Sequence, residues 1–382
     1  MSSSFGLFGG GIALVVSSEC STLYKAAARL AKAVFGKYVW VCDGTADDVE
    51  IQAAISAIAG KGVVHLTSGT FYCAAIITIP DNNLVFEGCG YSTIVKSTNG
   101  LANSINVTGS YCILREFYLN GNNAVQLRIS GSYVEMEHVY SYNHTTYNLY
   151  TTGNNNRFKG CWFLERRVRV SGGAVEFYAC NFNGNGTQIC VEWDASGSVY
   201  GCTFETYLGN AIRIADNATV TRAAFIGNYF ETSEITSATI NVSSSPAPYC
   251  LVFINNYDKL DANVTASLVL GTGVQEVIFV GNNFRNGISG FQAWNGTSGI
   301  KVGYISDHNG TITFNTLAGL YQVELKDNGR SIVSGAAAPG TGTWKVGDIC
   351  WNTAPIANGA PGWVCTTAGT PGTWKSMANL AA

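Results

Sequence analysis

The sequence predicts an all-β protein built on a right-handed parallel β-helix, with an N-terminal capping helix and a small C-terminal β module. Two observations predict this fold. A short motif recurs every 19 to 27 residues, and short alternating apolar runs bounded by Gly, Asn and Ser lie between its copies. Stretches with helical periodicity are absent from the same region, which favours strands throughout.

The recurring motif is a small or polar pair, one variable residue and then an apolar residue. Its apolar position is predicted at Phe117, Val139, Phe163, Phe182, Phe204, Phe230, Tyr257 and Phe284. These steps suit one coil of a solenoid, whereas a propeller blade needs about twice the length and the leucine-rich repeat pattern is missing. Successive coils are expected to stack about 4.8 Å apart. Cys161, Cys180 and Cys202 then form a ladder of buried thiols.

A capping segment is predicted at 38–62, directly before the β-helix at 63–310. Asp47 is placed to cap a helix in which Ile51, Ile55 and Ile58 share one face at helical spacing. Glycines at 60 and 62 end this helix. An amphipathic helix at this point covers the open end of a solenoid.

The segment 41–72 resembles the entry of pectate-lyase-like β-helix proteins through its Asp-Gly-Thr, double Asp, helix, strand and Gly-Thr-Phe-Tyr. Thr67-Ser68 replaces the Leu-Pro common in that family. The whole chain is similar to bacteriophage tailspike or tail-fibre receptor-binding proteins. That resemblance implies a homotrimer in the virion tail, which binds a host surface polysaccharide and contacts other tail proteins through its N-terminus. An extracellular or cell-surface location is the alternative.

Two end modules flank this region. Residues 1–37 are predicted to form an anchor or stem, in which Leu23, Ala27, Leu30 and Val34 make an apolar helical seam; a simple packing arm is the alternative. Residues 311–335 are predicted as connecting strands, and 336–382 as a module holding four of the eight tryptophans. Those tryptophans either fill a small β core or stack on sugars.

Composition excludes several classes of partner. The net charge is −3 and no basic run occurs, so no nucleic-acid partner is predicted. No apolar run is long enough for a membrane span. The twelve cysteines are scattered rather than paired, so neither disulfides nor a metal site is predicted, and no cofactor is expected.

The candidate catalytic residues are Glu205, Glu231 and Asp258, which each follow the apolar position of consecutive copies of the motif. Stacked coils would place these carboxylates in one column, and glycoside hydrolysis requires two carboxyl groups. Tyr118 and Tyr140 occupy the same motif position in earlier coils and are predicted to contact the glycan.

A second candidate site lies at Glu192, Trp193 and Asp194, where two carboxylates flank an aromatic ring suited to stacking on a sugar. The alternative for all these acidic residues is a structural role, bonding backbone amides of the next coil. The function predicted is therefore polysaccharide binding with endoglycosidase activity. A non-enzymatic structural or adhesive protein is the alternative, and a secreted polysaccharide lyase lacks a signal peptide and a calcium cluster.

Overall fold

The computed structural model describes residues 11–35, 38–58, 61–98, 100–121, 125–214, 222–231, 238–242, 250–258, 266–269, 276–280, 282–284, 288–289, 301–303, 321–323 and 331–378. The chain forms two compact units, Met1–Thr313 and Phe314–Ala382. No helix among the described residues is long and apolar enough to span a membrane.

The first unit is the predicted parallel β-helix, built from three parallel sheets. The first sheet runs through Ile12–Val16, Gly62–Leu66, Leu84–Glu87, Ile113–Asn120, Glu135–Tyr142, Arg157–Lys159, Val175–Tyr178, Gly197–Tyr200, Arg222–Ile226, Cys250–Ile254, Glu276–Val280 and Lys301–Gly303, and Val39–Val41 pairs beside Ile12–Val16.

The second sheet contains Gly69–Cys73, Thr93–Ser97, Trp162–Leu164, Tyr229–Glu231, Tyr257–Asp258 and Asn283–Phe284, together with the second halves of Ile113–Asn120 and Glu135–Tyr142 and the first halves of Asn181–Trp193 and Thr203–Ile214. The third sheet contains Ile77–Ile79, Asn103–Val107, Val125–Ile129, Tyr147–Thr151, Arg167–Val170, Ala238–Val242, Ala266–Val269 and Ile288–Ser289, and the second halves of the same two long strands.

The small pair of the motif forms the corner between the first and second sheets. Its first residue has a positive φ in successive coils: Gly160, Ala179, Gly201, Gly227 and Asn255 lie between 49° and 64°. This left-handed conformation favours glycine and asparagine, which explains the residue types at that position. The corner bends the chain once per coil at the same place, so the coils stack in register.

The second residue of the pair forms a buried ladder inside the corner. Register places Cys161, Cys180 and Cys202 in line, and continues through Asn228, Asn256 and Asn282. Each described member is at most 7% exposed. The predicted cysteine ladder is therefore confirmed, and every cysteine with a described side chain is a free thiol.

The asparagines of this ladder satisfy backbone groups of the neighbouring coils. Asn228 Nδ2 donates to Asn256 Oδ1 at 3.0 Å, and Asn256 Nδ2 donates to Asn282 Oδ1 at 2.8 Å. The backbone N–H of Cys202 donates to Asn228 Oδ1 at 2.9 Å, so the two halves of the ladder are joined. Burying an amide is favourable only when it is hydrogen-bonded in this way.

Stacked aromatic rings fill the core along the second sheet. Phe163, Phe182, Phe204 and Phe230 lie in register, with successive ring centroids 5.3, 4.7 and 4.9 Å apart.

The predicted register fails at two places. Phe163 pairs with Ser141 rather than Val139, because Cys161 takes the ladder position in that coil. Phe230 pairs with Asp258 rather than Tyr257.

The capping helix α2 spans Asp48–Ile58 and buries Ile51, Ile55 and Ile58 as predicted. Asp47 precedes it, and its carbonyl accepts the Ile51 N–H at 3.1 Å. The Asp47 carboxylate instead accepts the backbone N–H groups of Gly44 and Tyr72, at 2.9 and 2.8 Å. This side chain therefore ties the helix entry to the second sheet rather than capping the helix itself.

Helix α1 spans Thr22–Phe35 and packs through Ala28 against Val16 and Val39. The predicted seam faces away from this contact: Leu23 is 82% exposed, and Leu30 and Val34 are each 67% exposed. The strand Ile12–Val16 belongs to the first sheet, so the solenoid begins before the predicted boundary at 63.

The second unit holds a five-stranded sheet of Tyr321–Val323, Ile332–Gly335, Ile349–Asn352, Gly362–Thr367 and Thr373–Ser376. Because Ile332–Gly335 pairs with Ile349–Asn352, this strand is part of the C-terminal module. Its core contains Trp344, with Trp363 and Trp374 packed against it, whereas Trp351 is 48% exposed. Three of the four tryptophans thus fill a small β core, which is the first of the two roles predicted for them.

Candidate saccharide-binding face

The outer face of the second sheet carries a row of stacked aromatic rings. Register places Tyr118, Tyr140 and Trp162 in one column on three successive coils. The rings of Tyr140 and Trp162 are stacked at 5.2 Å, and Tyr118 lies 6.4 Å from Tyr140. Tyr91, in the 3₁₀ turn Gly90–Ser92, meets Tyr140 edge-on at 4.0 Å. We call Tyr91, Tyr118, Tyr140 and Trp162 the aromatic terrace.

The terrace is accessible to a ligand. Trp162 is 41% exposed and Tyr91 is 61% exposed, while the rings of Tyr118 and Tyr140 are half-buried between them. Aromatic rings held rigidly at the surface present flat apolar area without further loss of side-chain freedom. Trp162 and Tyr91 were not predicted. Trp162 sits at the variable position of the motif, where strand alternation already places it on the outer face.

Glu205 and Glu231 are in register on adjacent coils of the same sheet. Both side chains are half-buried, and Asn181 Nδ2 donates to Glu205 Oε1 at 3.2 Å. Adjacent parallel strands lie about 4.8 Å apart. This spacing matches the separation of about 5 Å between the carboxyl groups of retaining glycosidases.

The predicted column of three carboxylates is wrong in its third member. Asp258 pairs with Phe230 and with Phe284, so it shares their register rather than that of Glu231. The reason is that Asn256 occupies the ladder position, which makes Tyr257 the equivalent of Tyr229.

The predicted relation of the tyrosines to the carboxylates is also corrected. The column of Tyr118 and Tyr140 continues through Asn181 and Thr203, and Glu205 stands two residues further along the strand. Residues two apart lie on the same face of a strand. The aromatic terrace and the carboxylate pair therefore form two neighbouring columns on one surface, with the terrace at earlier coils.

The side chains of the second predicted site lie on opposite sides of their strand. Trp193 is fully buried between Phe177 and Phe225, and its indole N–H donates to the Ala195 carbonyl. The prediction that Trp193 contacts a glycan is wrong, because strand alternation puts Val191 and Trp193 on the inner side. Glu192 lies outside, accepting from Arg167 at 2.6 Å and from the Tyr147 hydroxyl at 3.2 Å. Asp194 is half-buried at the end of this strand.

The outer face of the first sheet carries charges that neutralise one another. Glu87 accepts two hydrogen bonds from Arg115, at 2.9 and 2.7 Å, and lies 3.0 Å from His65 Nδ1. Hydrogen bonds from His65 and Arg115 hold the pKa of Glu87 below its usual range. Lys159 bonds both Glu135 and Glu137. Pairs of opposite charges on neighbouring strands stabilise a sheet, so these residues have a structural role.

One group of potential metal ligands lies near the entry of the β-helix. The ligand atoms of Cys42, Asp47 and Glu50 are within 4.8 Å of one another. Burial and the nearby Asp47 and Glu50 carboxylates raise the pKa of the Cys42 thiol, which favours its neutral form. Both Asp47 carboxylate oxygens already accept hydrogen bonds from backbone N–H groups, so we interpret this cluster as structural.

Comparison with known proteins agrees with the fold. No model of a protein family matches the chain, and no curated protein sequence matches it. The structure is similar to the pectate lyase Pel9A, with 11% identity and a TM-score of 0.54 over 82% of this chain and 84% of that one. It is also similar to an alginate lyase from Paenibacillus sp. str. FPU-7, with 13% identity and a TM-score of 0.51 over 70% and 98%.

A third similar structure is a tailspike protein from the Acinetobacter baumannii bacteriophage Fri1, a capsular polysaccharide depolymerase. It has 14% identity and a TM-score of 0.40, over 96% of this chain and 77% of that one. The likeness to the two lyases agrees with the parallel β-helix fold of this protein and shows the fold alone. Activity has to be argued from its own side chains, because folds of this kind carry many functions.

Proposed function

We propose that this protein is a tailspike-like receptor-binding protein that binds a host cell-surface polysaccharide along the outer face of its second sheet. The observation that carries the proposal is the aromatic terrace, in which Tyr140 and Trp162 are stacked and Trp162 is accessible. Rings spaced by one coil offer a repeating apolar surface to a chain of sugar rings.

We further propose that Glu205 and Glu231 hydrolyse the bound chain. One carboxyl group protonates the leaving glycosidic oxygen while the other carboxylate attacks the anomeric carbon. The first group then takes a proton from water, and the resulting hydroxide equivalent releases the sugar from the enzyme. The spacing of one coil favours this retaining course over inversion, which needs about 6.5–9.5 Å.

The proposal includes a trimer in the virion tail that contacts other tail proteins through residues 1–37. Support comes from the exposed seam of α1, where Leu23, Ala27, Leu30 and Val34 alternate at steps of four and three residues. Such spacing is typical of the contact positions of a helical bundle.

The experiment is incubation with purified bacterial capsule and lipopolysaccharide, followed by an assay for new reducing ends. Glu205→Gln and Glu231→Gln are each expected to reduce turnover at least a hundredfold, in line with losing a general acid or nucleophile. Glu176→Gln, on the first sheet, is the matched control and should retain turnover. Binding without cleavage by the native chain would favour a non-enzymatic adhesive protein instead.

A further inference from the structure

The third sheet carries an outer row in which, among the described residues, arginines outnumber carboxylates. Register places Arg128, Tyr150, Arg169, Glu192 and Arg213 in one column on five successive coils. At about 4.8 Å per coil, this column extends for roughly 19 Å. Arg167 joins the group through its bond to Glu192. We call Arg128, Tyr147, Tyr150, Arg167, Arg169, Glu192 and Arg213 the arginine face.

The tyrosines hold these guanidinium groups in place. The guanidinium carbons of Arg128 and Arg169 lie 5.5 and 5.4 Å from the centroid of the Tyr150 ring. Arg167 stacks on Tyr147 at 5.2 Å, and the Tyr147 hydroxyl donates to Glu192. Stacking on an aromatic ring uses the face of a guanidinium and leaves N–H groups at its edge for another acceptor.

The charges of this face contrast with those of the first sheet. There, Arg115, Lys159 and Arg157 each pair with a carboxylate within 3.2 Å. In the described part of the third sheet, the four arginines lie near the two carboxylates Glu192 and Asp194, and Arg167 is paired with Glu192. Arg128 is exposed and Arg169 and Arg213 are half-buried. A net positive strip on a chain of net charge −3 is a focused binding surface for anions.

We infer that the arginine face binds a saccharide that carries carboxylate, sulfate or phosphate groups at regular intervals. Guanidinium groups match such oxyanions with paired hydrogen bonds. A linear arrangement over several coils fits an extended anionic chain rather than a single small ion. This inference rests on the proposed function for the nature of the ligand, but it concerns a different sheet from the terrace.

The test uses oligosaccharides of polygalacturonate and the same oligosaccharides after full methyl esterification, which removes the charge of each carboxylate and adds a methyl group to it. Titration calorimetry at low salt is expected to show binding of the charged form and at least tenfold weaker binding of the ester. Arg169→Gln combined with Arg213→Gln should weaken binding of the charged form at least tenfold. Arg157→Gln, an arginine of the first sheet, is the matched control and should change it less than twofold.

Several results would overturn the inference: equal binding of both forms, no binding of either, or an equal loss in Arg157→Gln. Double-stranded DNA that competes as strongly as the charged oligosaccharide would replace it with general polyanion binding. Capsule binding that depends on Trp162 but not on the arginines would leave the proposed function standing and remove this inference alone. If capsule binding were absent but the arginine-dependent binding of the oligosaccharide were retained, the proposed function would fail and this inference would stand.

Discussion

Trp162 stacks on Tyr140 across adjacent coils, with ring centroids 5.2 Å apart and 24° between their planes. Neither ring is needed to fill the core, which is occupied by the phenylalanine stack on the other side of the same strands. A row of four such rings on one face makes this surface our candidate binding site.

Trp162→Ala is expected to weaken capsule or lipopolysaccharide binding by about tenfold, because a rigid aromatic contact contributes about 0.5–1.5 kcal/mol beyond its buried area. Surface plasmon resonance with immobilised polysaccharide measures the change. Tyr133→Ala is the control, since Tyr133 stacks with Tyr111 and is 50% exposed but lies outside the terrace. Equal losses in the two variants would contradict a specific role for the terrace.

The asparagine ladder is expected to be a major source of stability. Asn256→Ala removes the acceptor of the Asn228 N–H at 3.1 Å and the donor to the Phe225 carbonyl at 2.8 Å. Each buried group left without a partner costs about 1–3 kcal/mol. We therefore expect the free energy of unfolding in urea to fall by at least about 2 kcal/mol.

The neighbouring variant Asn255→Gly is the control for this ladder prediction. Asn255 has a φ of 50°, a conformation that glycine adopts without strain. Its substitution should change the free energy of unfolding by less than about 1 kcal/mol. If Asn256→Ala were as mild as Asn255→Gly, the ladder would be a by-product of stacking rather than a cause of its register.

Stability is expected to depend on pH through His144. Burial lowers the pKa of this imidazole to about 3, against about 6.5 in an unfolded chain. Between these values the unfolded chain binds the extra proton, so the free energy of unfolding falls as the pH drops below about 6.5. A single site of this kind contributes a loss of about 2 kcal/mol between pH 7 and pH 5.

His144→Leu tests this pH dependence by urea unfolding at pH 7, 6 and 5. The slope of stability against pH should become shallower than in the native chain, whatever the variant does to stability at pH 7. An unchanged slope over this range would show that other groups cause the dependence.

The seam of α1 is expected to hold an oligomer together. Leu30→Glu combined with Val34→Glu places like charges in the predicted contact positions, where both native side chains are 67% exposed. Light scattering should give a trimer for the native chain and a monomer for the variant, with unchanged circular dichroism of the β-helix. A native monomer, or a variant trimer, would contradict the proposed stem.

The sequence was sufficient to predict the β-helix because each coil repeats its corner. Where the small pair is present, as at Gly201-Cys202, the predicted register of Phe204 with Phe230 is confirmed. The prediction failed at Val139 and at Tyr257, which were matched with the phenylalanines although they lie nearer to the corner. In the coil at 137–143 the corner is His138, with a φ of 49°, and Val139 takes the ladder position next to it.

Parts of the candidate site needed the structure. The prediction for Trp193 is wrong, because alternation along Val191-Glu192-Trp193 places its indole on the side of the strand opposite the Glu192 carboxylate. The column of Arg128, Arg169 and Arg213 leaves no local motif, because its members lie on different coils and come into one line only after stacking. Only the accumulated register of many coils brings such residues together.

The most direct measurement is the position of a capsule oligosaccharide in a crystal structure of the Glu205→Gln variant. We expect sugar rings over Tyr140 and Trp162, with the chain continuing along the second sheet so that a glycosidic oxygen lies within hydrogen-bond reach of residue 205 or Glu231. An oligosaccharide bound solely at the C-terminal unit, or on the first sheet, would contradict the proposed binding face.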